Sequence, residues 1–137
     1  MAGVNEQIRV LVVDDDALVL MNTAAMLEDL GHRAVEATSG RQALDVLRQA
    51  EPVDVVVTDQ AMPGMTGVQL AAAIRAEWPD LPIILATGYA ELPPGTDPSL
   101  PKLGKPFRQD ALARTIAESL RAAEAARKVV AFRLKQG

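Results

Sequence analysis

The chain has no cysteine, which excludes a disulfide framework, a thiolate zinc site and a catalytic thiol together, and gives no sign of an oxidising compartment. Aromatics are almost as scarce. Trp78, Tyr89, Phe107 and Phe132 are the whole set, so a core must be assembled from Val, Leu, Ile, Ala and Met, side chains that suit helices packed closely on a sheet. No apolar run approaches the roughly 20 residues of a membrane span. The opening MAGVNEQIRV has neither a basic n-region nor an apolar h-region. A cytoplasmic protein without membrane contact is therefore expected. A basic stripe is missing too: the 14 Lys and Arg are scattered through a chain of net charge −4, so no nucleic-acid partner is expected.

What is present is 49% apolar content over 137 residues, enough for one well-buried core and one domain. Short apolar runs at Arg9–Val13, Val53–Thr58 and Pro82–Ala86 are rich in β-branched residues without clean alternation. That pattern predicts strands buried on both faces. Weaker strands are predicted at Arg33–Ala37 and Leu100–Gly104. Segments of helical spacing lie between them, and the alternation of strand and helix predicts a parallel α/β sheet.

Asp16 should cap a first helix that buries Leu20, Ala24 and Leu27 and stops at Gly31. Ser39 with Gln42, and Thr66 with Gln69, read as capping boxes opening the second and third helices. The second should bury Ala43, Leu44 and Leu47; the third should bury Leu70, Ala73 and Ile74 and end before Pro79. A last helix should run from about Arg108 through Leu112, Ile116 and Leu120. Between Thr87 and Leu100 stand Pro93, Pro94, Gly95 and Pro98, each costing a helix interior roughly 1 to 3 kcal/mol. A fourth helix is predicted to be absent or very short.

In open α/β sheets ligands bind beyond the carboxyl ends of strands, where the strand order reverses. Four of the predicted strands end in polar groups: Asp14-Asp15-Asp16, then Asp59, then Thr87, then Lys105-Pro106. A single Asp after a strand is more often a cap or a solvated loop residue, but the set needs another explanation. Carboxylates converging within about 4 Å would repel by several kcal/mol per pair at an effective dielectric of ~20, so the fold would tolerate them poorly without a cation. An oxygen-only cluster suits Mg²⁺, which takes one or two carboxylates and keeps waters for a phosphoryl ligand.

VLVVDDD, TDQAMPGMTG, ATG and GKPF together resemble the four signatures of response-regulator receiver domains, over roughly Ile8 to Leu120. The chain is similar to receivers of hybrid histidine kinases or of single-domain response regulators. The resemblance implies a flavodoxin-like (βα)5 fold with a five-stranded parallel sheet in the order 2-1-3-4-5. It implies that Asp59 is the phosphoacceptor and a metal ligand, that Asp15 binds Mg²⁺ directly, and that Asp14 acts partly through water. Asp16 is left as a helix cap. The Ala61 backbone carbonyl becomes a further ligand, Thr87 and Lys105 bind phosphoryl oxygens, and the Lys105–Pro106 bond is commonly cis. The implied partner is a sensor histidine kinase or a histidine phosphotransfer protein. The lone His32 lies in the Gly31-His32-Arg33 turn and reads as a surface residue. No turnover of a separate substrate is expected, only phosphorylation and dephosphorylation of the chain itself.

Three features depart from the pattern. Many receivers report phosphorylation through an aromatic residue three positions before the lysine, where this chain has Lys102. Tyr89 is a substitute that would close over the site, and with Ala61 it occupies a position that tunes the lifetime of the phosphorylated state in the family. The missing fourth helix resembles a subset whose connector becomes ordered on activation. The third feature is the stretch at 122–137, beyond a receiver domain at 1–121, which reads either as an extension of the final helix that folds back or frays, or as a helix for a homodimer or partner contact. No output domain follows residue 121, so the expectation is a stand-alone regulator or a receiver cut from a hybrid kinase. The rival reading is a haloacid-dehalogenase-type phosphatase with Asp14 as nucleophile. It would leave Asp59-x-x-Met-Pro-x-Met-x-Gly without a role. A third reading keeps the fold as an interaction module that is never phosphorylated.

Overall fold

The computed structural model describes residues 7–49, 51–88 and 92–136. Five strands, β1 (Arg9–Val13), β2 (Arg33–Ala37), β3 (Val55–Asp59), β4 (Ile83–Thr87) and β5 (Lys102–Gly104), form one parallel sheet in the order β2-β1-β3-β4-β5. Helices α1 (Ala17–Asp29), α2 (Gly40–Leu47), α3 (Gly67–Glu77) and α4 (Gln109–Gln136) cover it. The fold is the flavodoxin-like arrangement that the resemblance implied.

The central strands carry apolar residues through their middles, Val10–Val13, Val55–Val57 and Ile83–Ala86, because both faces of the sheet are buried there. Side chains alternate between the two faces. Leu11, Val13, Val56, Ile83 and Leu85 join a core with α2 and α3. Val10, Val12, Val55, Val57 and Ile84 join a second core with α1 and α4. Crossovers from β1 go to β2 on one side and reach β3 on the other, so the loops beyond β1 and β3 diverge and leave a crevice at their carboxyl ends.

Helix starts follow the predicted caps. Asp16 Oδ1 accepts from the backbone N–H of Leu18 at 3.0 Å and Val19 at 3.4 Å. Thr66 and Gln69 form a full capping box. Ser39 accepts from Gln42, but the Gln42 side chain reaches one residue further back, to the Thr38 backbone N–H and hydroxyl, so only half of that predicted box forms. Gly31, with φ of 93°, takes the left-handed conformation that ends α1. Leu70 and Ile74 are buried as predicted; Ala71 takes the place expected of Ala73, which is half-buried.

Strands β3 and β4 each run one residue past their apolar stretches. Asp59 pairs with Ala86 in the ladder and the Gln60 N–H donates to the Ala86 carbonyl, so hydrogen bonding continues after hydrophobicity stops. Asp59 and Thr87 are thus terminal strand residues, not loop residues. Strand β5 is shorter than predicted, at three residues.

No helix forms between β4 and β5 among the described residues. Leu100 plugs the α2–α3 core and Leu92 packs against it. Asp97 anchors the rest: its carboxylate accepts from the Ser99 N–H and hydroxyl and pairs with Arg75 of α3 at 2.7 Å. Lys102 donates to the carbonyls of Asp97 and Leu100. The Ser99 backbone N–H, its hydroxyl and Arg75 hold the Asp97 carboxyl down at about 2. Because the folded value lies below the ordinary 3.8, the ties are complete above 3.8 and are lost as pH falls through about 2.

Asp97→Asn should therefore raise amide exchange at residues 92–100 while leaving the sheet protected. Acidification between 3.8 and about 2 should loosen the same amides in the parent chain but add little in the variant. Hydrogen–deuterium exchange followed by mass spectrometry checks both.

Candidate functional site

The parallel sheet brings the predicted polar residues to one rim. Asp14 follows β1, where its N–H donates to the Ala37 carbonyl at 3.1 Å and its Oδ1 accepts from the Asp16 N–H at 2.8 Å. Asp14 and Asp59 are buried, and Asp15 is exposed. Carboxylate oxygens of Asp14, Asp15 and Asp59 lie within 4.8 Å of one another. Asp16 does not join them, since it caps α1.

Lys105 Nζ donates to Asp59 Oδ1 at 2.6 Å. Strand β4 lies between the strands that carry these two residues, and neighbouring strands sit about 4.8 Å apart, so only a long side chain can bridge them. The Lys105 N–H donates to the Thr87 carbonyl at 2.9 Å, and the Lys105–Pro106 peptide is cis. Thr87 is buried at the end of β4, level with Gly104, and its hydroxyl donates to the Gly88 carbonyl at 3.2 Å. Ala61 is exposed in the loop after β3. Tyr89 lies outside the described residues. His32 is half-buried at the opposite end of the sheet, where Nδ1 accepts from the Ile8 N–H at 3.4 Å and burial lowers its pKa. It takes no part in this rim.

At such spacing a carboxylate pair repels by roughly 3 kcal/mol at an effective dielectric near 20. Lys105 offsets one charge of the three. Burial lifts the Asp14 carboxyl above its ordinary range, and the Asp59 and Asp15 charges push the same way against the Asp16 N–H and Lys105. A raised carboxyl pKa means that the metal-free fold holds charge it would rather lose. The donor set is oxygen only, partly buried and partly open through Asp15, which fits a Mg²⁺ ion that retains water ligands.

Two contributors were not singled out as site residues from sequence. Gln60 is buried beside Asp59, and its side-chain oxygen accepts from the Val68 N–H at 2.8 Å while its carbonyl accepts from Gly67 at 3.0 Å. It fastens the start of α3 to the end of β3. Its place directly after Asp59, at the end of a buried strand, was the available signal. Gly67 is the second: a Cβ there would collide with the Asp59 carbonyl and a Leu85 methyl.

A family model described as response regulator receiver domain matches residues 10–97. The sensor kinase CckA of Brucella abortus is 37% identical over 118 residues, which is 81% of this chain and 12% of the relative. The transcriptional regulatory protein GlrR of Escherichia coli is 35% identical over 114 residues, 80% of this chain and 26% of its own length. The chain thus spans at most about a quarter of these two relatives. A chemotaxis protein CheY homolog of Campylobacter jejuni is 41% identical over 90 residues, 61% of this chain and 69% of that protein. Among solved structures, a response regulator receiver protein from Sinorhizobium medicae superposes with a TM-score of 0.76 at 30% identity, covering 86% of this chain and 98% of its own.

Asp14→Asn keeps an acceptor for the Asp16 N–H but removes a charge that the metal-free fold resists. The carboxyl's contribution is complete below the unfolded value near 3.8 and is lost as pH rises through the raised folded value. The variant should therefore melt a few degrees higher than the parent at pH 7 without metal, with the gap closing near pH 3. Added Mg²⁺ should reverse the order by stabilising only the parent. Gly67→Ala should destabilise the fold by about 1 to 3 kcal/mol in urea titrations, because α3 cannot withdraw without moving Asp59.

Proposed function

The chain belongs to the response-regulator receiver family, and on that premise we propose that it accepts a phosphoryl group on Asp59 from a phosphohistidine of a partner kinase or phosphotransfer protein. Two-component signalling is the setting. The observation that carries the assignment is the 2.6 Å pair between Lys105 and Asp59, set beside the carboxylates of Asp14 and Asp15 and the end of β4 at Thr87.

Asp59 attacks as a carboxylate: an oxygen–phosphorus bond forms at its Oδ as the nitrogen–phosphorus bond of the donor breaks, and the electron pair returns to the imidazole, which takes up a proton. Phosphoryl transfer asks little covalent chemistry of the protein and much positioning. Lys105 and the Thr87 hydroxyl stabilise charge on the equatorial oxygens as it spreads there. Asp14, Asp15, Asp59 and the Ala61 carbonyl would hold Mg²⁺, which when bound supplies charge neutralisation between two anions. Hydrolysis of the acyl phosphate returns the free carboxylate, so the chain turns over no separate substrate. The Lys105 pairing supports Asp59 as acceptor over the Asp14 of the phosphatase reading.

A docking surface for the donor lies beside the rim. Leu18 and Met21, in the first two turns of α1, are 66% and 56% exposed, unusual for large apolar side chains next to a charged cluster. Output runs through the β4–β5 connector. Phosphorylation adds about −1.5 to −2 of charge and strong acceptors, drawing the Thr87 hydroxyl away from the Gly88 carbonyl. Lys102 stands where many receivers place an aromatic and is engaged with the Asp97 and Leu100 carbonyls, so it transmits the shift to an anchored loop.

Incubation with radiolabelled acetyl phosphate and Mg²⁺ should label the parent and not Asp59→Asn. Thr87→Ala should label on the order of 10²-fold more slowly. Label retained by Asp59→Asn and lost in Asp14→Asn would hand the assignment to the phosphatase reading.

A further inference from the structure

Helix α4 is longer than the sheet it covers. Twenty-eight residues at 1.5 Å each span about 42 Å, whereas a five-residue strand spans about 17 Å. Leu112 and Ile116 are buried on the sheet, and from Glu124 onward the described side chains are exposed. At 3.6 residues per turn Val130 and Leu134 continue the line of Ile116, Leu120 and Ala123. Val130 is 56% and Leu134 77% exposed, with Val129 and Phe132 open beside them. The seam that docks the helix on its own core therefore runs on past the domain.

Where α4 leaves the sheet, its Leu120, Ala123 and Arg127 form one wall of a groove of about 550 Å³ at the amino ends of the strands. The opposite wall includes Pro52, Trp78 and Leu81, with Glu51, Asp54, Glu77 and Asp80 around it. Glu51 and Glu77 pair with Arg9 and Arg48, and Asp54 accepts from the Arg9 backbone N–H at 2.8 Å without losing its charge, so Asp54 and Asp80 carry most of the groove's negative character. The projecting part of α4 has the opposite sign: Lys128 pairs with Glu124 at 3.3 Å, and Arg127 and Arg133 add positive charge.

We propose that this groove receives the projecting end of α4 from a second copy of the chain. In a two-fold pair each contact occurs twice. Antiparallel helices would lay Val130 and Leu134 of one copy along Ala123 and Leu120 of the other, with the two Arg127 side chains meeting at the crossing, where the acidic lining of the grooves offsets their like charge. Arg133 would then face Asp54 and Asp80. A straight helix cannot bend its own tip into a groove that its base already lines, and the apolar stripe and basic charge of a second copy's tip match the apolar and acidic lining. The interface lies at the end of the sheet opposite Asp59 and is independent of the phosphoacceptor assignment.

Sedimentation velocity of the full chain, alone and as Asp59→Asn, is the test. Both should dimerise, with the dissociation constant rising as salt is added. Leu134→Glu, on an exposed position, should weaken association at least about tenfold with unchanged circular dichroism. Asp54→Lys with Asp80→Lys should weaken it similarly, and adding Arg133→Glu to that pair should restore it. A parent chain that stays monomeric at every accessible concentration overturns the proposal. So does a dimer indifferent to Leu134→Glu, or one that loses nothing on reversal of Asp54 and Asp80.

Discussion

Every feature of the site depends on one charge-assisted hydrogen bond, from the Lys105 ammonium to the Asp59 carboxylate across an intervening strand. It is short, and its acceptor is only 4% exposed, so neither partner could lose the other without leaving a costly charge near the core. The pair also resolves a conflict that the fold creates for itself. A parallel sheet points all its carboxyl ends the same way, and here that gathers three acids at one rim. Lys105 compensates for one of them, while burial, and after it the charges of Asp59 and Asp15, lifts the Asp14 carboxyl.

The backbone around Asp59 is held from several directions, as the proposed role of its carboxylate as nucleophile would require. The ladder to β4 fixes it on one side, and the Gln60 amide fastens the following helix. The bare Cα of Gly67 lets that helix approach. Rigidity here contrasts with the β4–β5 connector, which has no helix among its described residues and relies on Asp97, Arg75 and Lys102 for its shape. Exposed polar ties of this kind are weak individually, so the connector is held more lightly than the strand that carries Asp59.

The two ends of the molecule differ in character. The acidic cluster and Lys105 gather at the carboxyl rim, together with the open apolar pair Leu18 and Met21 on α1. The amino end carries an acidic groove and the projecting part of α4. Their separation by the length of the strands lets association and phosphorylation be tested independently.

Much of this was readable from residue order alone, because local rules govern it. Apolar runs without alternation marked strands covered on both faces, Asp16, Ser39 and Thr66 marked helix starts, and the prolines between Thr87 and Leu100 ruled out a helix. The receiver signatures named the acids, Thr87 and Lys105 in advance. What only tertiary structure decided was everything set by distance across the sheet. Asp59 and Thr87 proved to be the last paired residues of their strands, since ladder hydrogen bonds outlast the apolar run. Gln42 reached to Thr38 instead of closing its box, and Lys102 turned back onto the connector's carbonyls. The stripe beyond Leu120 could be seen as apolar in the sequence, but that it leaves the domain beside an acidic groove follows from where α4 crosses the sheet. Periodicity is a property of neighbours along the chain; the meeting of residues 59 and 105 is a property of strand order, and that is settled only when the whole sheet packs.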